Sequence, residues 1–154
     1  MPHFAKLNSN NVVLEINVIS QEDVDANGGD YSAQAENWVK SKWDAYAWKQ
    51  CSYNANQRGK FPGIGWSWDA SINKFKPPQP HNNWTWNNTH NHWEAPVTKP
   101  ATDNFIESNG DETIIGTIYW DSSNNRWAGR NDDLSTFTRT DYYWNTSQNK
   151  WLKQ

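Results

Sequence analysis

Tryptophan is the residue of this 154-residue chain best suited to binding chemistry, and it occurs 12 times. Most of the tryptophans fall in a repeated eight-residue frame, W-[DN]-x-[ST]-x-N-[KRH]-[WF], at residues 68–75, 86–93, 120–127 and 144–151. An indole ring combines a large apolar area with a polar N–H, so it can fill a core, anchor an interface or stack on a sugar. An Asp or Asn after each opening Trp supplies hydrogen-bonding groups beside the ring. The frame therefore predicts aromatic surfaces that either pack within protein structure or bind glycans.

Eleven side chains are candidates for interface or glycan-stacking residues. Successive side chains of a strand alternate between its faces, so the residue two positions before each opening Trp shares the face of that Trp. The candidates are the ring pairs that open and close each frame and the aromatic residues two positions before them: Trp66, Trp68, Phe75, Trp84, Trp86, Trp93, Trp120, Trp127, Tyr142, Trp144 and Trp151.

The other residues that could do chemistry are scattered. His90 and His92 lie two positions apart, but His90 falls within a predicted turn. The acidic pairs Asp111–Glu112 and Asp132–Asp133 fall in polar connections, where no apolar pocket is expected to raise a carboxyl pKa. The single Cys51 is expected to be a small buried residue rather than a reactive thiol. We therefore predict no catalytic residues, no metal site and no cofactor.

Composition and charge narrow the class of partner. The net charge of -3, with acids and bases interspersed, indicates neither a nucleic-acid stripe nor a polybasic membrane anchor. No apolar run approaches the length of a membrane span, and no signal-peptide core follows "MPHFAK". We therefore expect neither a nucleic acid nor a membrane as a partner. Because no secretion signal is present, we expect the protein to be made in the cytoplasm of a host cell.

Residues 1–60 carry the ordinary aliphatic patterning and predict a small α+β unit of two or three strands with one helix. Apolar residues alternate from Val12 to Val18, which is typical of a strand, and "HFAKL" before them suits its hairpin partner. The segment from Ser32 to about Trp43 reads as an amphipathic helix with Ser32 as its N-terminal cap. "AWKQCSYN" then predicts a further strand.

Residues 61–154 predict four aromatic β-hairpins, which makes the chain mainly β. A four-residue loop sets Trp68 opposite Phe75, and the same register pairs Trp86 with Trp93, Trp120 with Trp127, and Trp144 with Trp151. The shared Asn of the frame stands where a type I turn passes to a left-handed residue, a conformation that Asn tolerates.

The spacing between the four frames is uneven, which argues against a propeller or solenoid. Proline-rich "KPPQP" and "EAPVTKP" follow the first two frames, while polar "SNGDE" and "AGRNDDLSTF" connect the later ones. We therefore expect a string of hairpins joined by extended connections, without one regular sheet. Because a lone hairpin is marginally stable, its aromatic face should pack against a neighbouring hairpin or another chain.

Three segments together resemble a known family. "PHFAKL…VVLEINVI", "WKQCSYN…RGKFPGIGWSWDASINKFKPPQP" and the following "W…WEAPV" are similar to small proteins of marine tailed bacteriophages, especially cyanophages. The resemblance covers the full length, with Cys51 at a position where Thr is usual. It implies a virion structural component and carries no catalytic residues over.

Two functions follow as expectations. The first is a non-enzymatic structural protein of a phage particle, in the tail or fibre-attachment region rather than on the capsid surface. It would dock through its Trp-rich hairpins to other virion structural proteins, in many copies or as a homo-oligomer. The alternative is a carbohydrate-binding module that recognises a host surface glycan through exposed Trp and Asn or Asp side chains.

Overall fold

The computed structural model describes all residues, 1–154, and the fold is mainly β, with 39% of residues in strands and 11% in helices. This confirms the expected fold class. The chain forms two compact units: unit 1 comprises Met1–Gln79 and Trp86–His92, and unit 2 comprises Pro80–Thr85 and Trp93–Gln154. The compact units therefore do not divide at residue 60, where the sequence placed the boundary. The first hairpin belongs to unit 1, and the second contributes residues to both.

Unit 1 is built on a three-stranded antiparallel sheet. Its strands are β1 (His3–Leu7), β2 (Val13–Val18) and β3 (Ala47–Cys51), in the order β2-β1-β3. Phe4 and Ala5 of the central strand are adjacent and both fully buried, so the sheet is covered on both faces. The edge strand β2 buries Val13 but leaves Leu14 and Val18 exposed. The alternation of apolar residues therefore predicted the strand correctly, but it did not indicate which face of the strand is buried.

Two helices follow β2, where the sequence predicted one. Helix α2 (Ala33–Trp43) confirms the prediction, and the Ser32 hydroxyl caps it by accepting a hydrogen bond from the Ala35 amide. Helix α1 (Gln21–Ala26) lies in the segment "QEDVDA", which looks like a polar connection because Val24 is its only buried residue. Neither helix has the length and apolar character needed to cross a membrane.

The two faces of the sheet carry different cores. On one face the helices pack with Ile19, Val24, Ala35, Val39 and Trp48 around Phe4. On the other face, the rings of Trp68 and Phe75 pack with Ala5, Leu7, Val13 and Cys51. The first aromatic hairpin therefore completes the N-terminal core, which is why it falls in unit 1.

A buried ion pair ties the parts of unit 1 together. Glu36 of α2 accepts hydrogen bonds from Arg58 and, at 2.7 Å, from Lys49 Nζ, and both Glu36 and Arg58 are almost wholly buried. The Arg58 guanidinium lies 5.3 Å from the centre of the Tyr31 ring and 5.2 Å from that of Trp68. A cation held between two rings and bonded to a buried carboxylate fixes the helix against the first hairpin.

The remaining strands form hairpins, as the frames predicted. They are β4 (Ser67–Asp69) with β5 (Lys74–Lys76), β6 (Thr85–Asn87) with β7 (His92–Glu94), β8 (Asn104–Ile106) with β9 (Glu112–Ile114), β10 (Thr117–Asp121) with β11 (Arg126–Asp133), and β12 (Thr138–Asn145) with β13 (Lys150–Lys153). The pair β8–β9 was not predicted and folds "SNGDE" into a fifth hairpin.

The third and fourth frames join into one sheet, contrary to the expectation of separate hairpins. The order is β10-β11-β12-β13, because β11 and β12 continue through the polar "AGRNDDLSTF" and pair with each other from Ala128 and Tyr143 outward to Asp133 and Thr138. This sheet buries the core of unit 2, which consists of Phe105, Ile115, Trp120, Trp127, Tyr142, Trp144 and Trp151.

Candidate functional site

The loop of each frame is stabilised by hydrogen bonds from its backbone to side chains of the same frame. In the first hairpin, Asp69 Oδ1 accepts hydrogen bonds from the Ser71 amide at 3.1 Å and from its hydroxyl at 2.6 Å. The side chains that accept from loop amides in the other frames are Asn87, Asp121 and Asn145. The shared Asn adopts the predicted left-handed conformation every time, with φ between 50° and 54° at Asn73, Asn91, Asn125 and Asn149.

The predicted register is confirmed in the three hairpins whose pairing lies within one unit. Trp68 opposes Phe75, with ring centres 4.9 Å apart. Trp120 opposes Trp127 at 5.3 Å, and Trp144 opposes Trp151 at 5.5 Å. Tilted and edge-on ring pairs at these distances are worth about 0.5–1.5 kcal/mol each beyond the area they bury. The ring pairs therefore stabilise the hairpins through contacts between their own two strands.

Burial divides the 11 candidate residues into two groups. Seven are buried inside the units: Trp68, Phe75, Trp120, Trp127, Tyr142, Trp144 and Trp151. Their faces are covered by other side chains of the chain, so they are not free to stack on a ligand. The other four are partly buried: Trp66, Trp84, Trp86 and Trp93. Trp66 packs against the core of unit 1, and Trp84 packs against that of unit 2.

Two closing tryptophans also fasten the proline-rich connection of unit 2. Trp127 Nε1 donates a hydrogen bond to the carbonyl of Val97 at 2.8 Å, and Trp151 Nε1 donates to the carbonyl of Thr102 at 2.8 Å. The first hairpin ends instead in Phe75, which has no donor and lies in an apolar core. A closing Trp can therefore bond a backbone carbonyl as well as fill the core, which a closing Phe cannot do.

The partly buried rings of unit 2 meet in one groove, here called the indole groove. It has a volume of about 380 Å³ and is lined by Trp84, Trp93 and Trp127 together with Glu94 and Lys99. Trp84 lies edge-on to Trp127 at 6.1 Å, and Lys99 Nζ lies 5.7 Å from the centre of the Trp127 ring. Flat rings beside one cation and one carboxylate can hold a sugar ring or an apolar side chain.

No protein-family model, curated protein or solved structure matches the chain. The candidate site is therefore defined by the geometry of the indole groove and the placement of the exposed side chains around unit 2.

The titratable residues considered from the sequence take local roles. The His90 and His92 rings stack on each other with centres 5.7 Å apart, and no group of three or more His, Cys, Asp or Glu is arranged to hold a metal ion. Asp133 accepts hydrogen bonds within its own turn, and these bonds, that from the Ser135 hydroxyl first, lower its pKa to about 2. Burial raises the pKa of the Cys51 thiol to about 12, so this thiol stays protonated at neutral pH.

One loop with the same construction was missed in the sequence. Between β11 and β12, Asp133 accepts hydrogen bonds from the amides of Ser135 and Thr136, as Asp121 accepts them from Ser123 and Asn124. Phe137 takes the left-handed position with φ of 53°, where every frame has Asn. The signal was present as D-x-S-T-F, but no Trp opens it and no aromatic residue closes it. Phe137 and Leu134 of this loop are strongly exposed.

Proposed function

We propose that the protein is a non-enzymatic structural component of a tailed-bacteriophage particle, in the tail or fibre-attachment region rather than on the capsid surface. The resemblance of its sequence to small proteins of tailed bacteriophages supports a place in a phage particle. The exposed apolar side chains of unit 2 carry the docking role: they lie on hairpin faces and ends, while the ring pairs of the third and fourth frames are buried. Neighbouring apolar side chains exposed on one face, as Ile106 and Ile114 are, form the kind of patch that marks protein interfaces.

The docking surface in this proposal differs from the Trp faces expected from the sequence. On hairpin β8–β9, Ile106 opposes Glu112 and Ile114 opposes Asn104, so both isoleucines project on the face opposite the buried Phe105. Leu134 and Phe137 project from the end of β11–β12. The buried ring pairs stiffen the hairpins that present these residues. Stiff hairpins lose little conformational entropy when they bind, which favours repeated docking on a multi-copy particle.

Mass spectrometry of purified particles tests this function. We expect the chain to remain with washed particles at a constant ratio to the other structural proteins, and to cross-link to one of them. A chain carrying Ile106→Ser and Ile114→Ser should be incorporated less, whereas Ile64→Ser, which changes an exposed isoleucine of unit 1, should be incorporated normally. Recovery of the chain only in the soluble lysate would overturn the proposal.

A carbohydrate-binding role is the second candidate, and the indole groove favours it. The groove brings together three indole rings with Lys99 and Glu94 beside them, which is the combination of flat apolar faces and hydrogen-bonding groups that suits a sugar ring. The role would require only Trp84 and Trp93 to contribute accessible ring area, because Trp127 is largely buried.

Titration calorimetry with oligosaccharides of the host surface tests the second candidate. Trp93→Ala should abolish binding, while Trp86→Ala, which removes the opening ring of the same frame outside the groove lining, should retain it. Binding that is absent from the native protein, or equally weakened by both changes, would exclude the groove as a glycan site.

A further inference from the structure

A pocket of unit 1, here called the Tyr53 pocket, opens where strand β3 ends. Its volume is about 450 Å³, which falls within the range of roughly 300–1,000 Å³ typical of small-molecule sites. It shares no lining residue with the indole groove. Aromatic rings and neighbouring side-chain amides make up much of its lining: His3, Tyr31, Tyr53, Asn54, Asn56 and Gln57.

The Tyr53 ring is exposed and yet held in place. It stacks on the His3 ring with centres 5.6 Å apart and planes 21° apart, and the Phe61 ring lies edge-on to it at 5.4 Å. Nevertheless, 71% of Tyr53 is open to solvent. A ring that is fixed by its neighbours loses little conformational entropy when a ligand stacks on its open side. Tyr53 is therefore a preorganised stacking surface.

The polar groups beside this ring are available to a ligand. The side-chain amides of Asn54, Asn56 and Gln57 form no hydrogen bond with the rest of the chain. A carboxamide both donates and accepts hydrogen bonds, and so does a hydroxyl group, so the two can pair in either direction.

The lining also selects for an uncharged ligand. No Asp, Glu, Lys or Arg side chain lines the Tyr53 pocket. A charged ligand would lose part of its hydration there without gaining a counter-charge. An uncharged ligand with several hydroxyl groups would instead exchange its bonds to water for bonds to the amides.

The backbone around the pocket is strained. Tyr31, Ala55 and Arg58 have φ of 60°, 56° and 59°, and they are three of the four left-handed residues in the chain that are neither Gly nor Asn. Ser52 holds the turn by accepting hydrogen bonds from the amides of Ala55 and Asn56 at 3.1 and 3.0 Å. Strain of this kind persists only where the surrounding structure enforces it, and it collects at ligand-binding sites.

We propose that the Tyr53 pocket binds one uncharged sugar unit, whose ring lies against Tyr53 and whose hydroxyl groups bond to the three side-chain amides. The aromatic face covers the C–H groups of the sugar, and the amides match hydroxyl groups that both donate and accept. The ligand class is a neutral saccharide, either a free sugar or one unit of a glycan. The site depends neither on the proposed function nor on the indole groove.

Nuclear magnetic resonance of the isotope-labelled full chain tests the site. The probes are glucose, galactose, mannose and N-acetylglucosamine, their neutral trisaccharides, and glucuronate as a charged counterpart. We expect at least one neutral sugar to shift the side-chain amide signals of Asn54, Asn56 and Gln57, and glucuronate to shift them far less. Tighter binding of the trisaccharide than of its monomer identifies a glycan unit, and equal binding identifies a single sugar.

Matched variants assign the binding to the pocket. Tyr53→Ala should weaken it by about tenfold, and Gln57→Ala should weaken it as well. Both residues are exposed, so the fold should stay intact. Tyr46→Ala removes a 45% exposed ring of unit 1 that does not line the pocket, and this control should bind as the native protein does.

Four results would each overturn the proposal. They are the absence of shifts with every neutral sugar, shifts confined to the indole groove, preferential binding of glucuronate, and equal losses in Tyr53→Ala and Tyr46→Ala. Absence of the chain from phage particles would overturn only the proposed function.

Discussion

Trp120 and Trp127 form a matched pair for measuring what an indole N–H contributes to this fold. They oppose each other across β10 and β11, and they are 6% and 8% exposed. Trp127 Nε1 donates to the Val97 carbonyl, whereas the buried Nε1 of Trp120 has no acceptor within reach. Replacement of either residue by Phe removes a similar ring area. The change at Trp127 also breaks a hydrogen bond, whereas the change at Trp120 removes a buried N–H that has no partner.

We expect Trp127→Phe to lower the free energy of unfolding more than Trp120→Phe does, by at least ~1.5 kcal/mol. Loss of the hydrogen bond to Val97 removes about 0.5–1.5 kcal/mol. Trp120→Phe instead deletes a buried donor whose missing partner costs about 1–3 kcal/mol. The lost ring area is common to both variants and largely cancels in the difference, so the two polar effects add.

Urea unfolding followed by circular dichroism measures the difference, with the transitions of the two compact units fitted separately. Amide exchange gives a local readout: residues 97–102 should exchange faster in Trp127→Phe and at the native rate in Trp120→Phe. Equal losses of stability in the two variants, or a larger loss in Trp120→Phe, would refute the assignment of the two N–H groups.

Other contacts lead to further expected outcomes. Glu36→Gln leaves Arg58 buried without its counter-charge, so urea unfolding should show a loss of about 3–5 kcal/mol in unit 1, and an unchanged midpoint would contradict this. Hydrogen bonds within its loop, that from the Asn124 side chain first, hold the pKa of Asp121 below its usual value. The stability that these bonds contribute is therefore present above the unfolded pKa of about 3.9, and it is lost as the pH falls through the folded pKa. Asp121→Asn, which copies Asn145 of the fourth frame, should reduce the acid sensitivity of the thermal midpoint, and an identical pH profile would count against the loop bonds. Cys51 should react with a thiol reagent at pH 8 only as fast as unit 1 opens, and rapid labelling of the native protein would show that the thiol is accessible.

The loops and the register of the hairpins could be predicted because their causes lie within eight residues. Asp69 needs only Ser71 to start its loop, and Asn73 needs only its own tolerance of positive φ to end it. Such side chain to backbone bonds act before any tertiary contact forms. The same reasoning gave helix α2 and its Ser32 cap.

The joining of the elements could not be predicted, because it depends on residues far apart in sequence. Trp68 and Phe75 cover a sheet made by residues 3–51, and nothing inside their frame distinguishes them from the rings that pack in unit 2. The outer end of β11 has no buried residue along Asn131–Asp133, so it lacks the apolar alternation that marks a strand.

The candidate site was predicted in part. Trp84, Trp93 and Trp127 were among the candidate residues, but the groove draws them from three separate segments, and Lys99 was not considered. Phe137 and Leu134 lie outside the frame and were missed, because a loop residue exposed to solvent leaves no periodic pattern in the sequence.

The difference between the two sheets has a consequence for the order in which the protein folds. Every strand of unit 2 pairs with a strand adjacent in sequence, and hairpins of this kind form within about 1–10 μs. Strand β1 must instead wait for β3, since His3 opposes Cys51 across most of unit 1. Closing so long a segment slows the search for native contacts. During synthesis β1 emerges first yet remains without its second partner until residue 51 has been made. Strand β1 therefore completes its sheet only after a long stretch of chain has been made, whereas each strand of unit 2 needs only the next strand of its own hairpin.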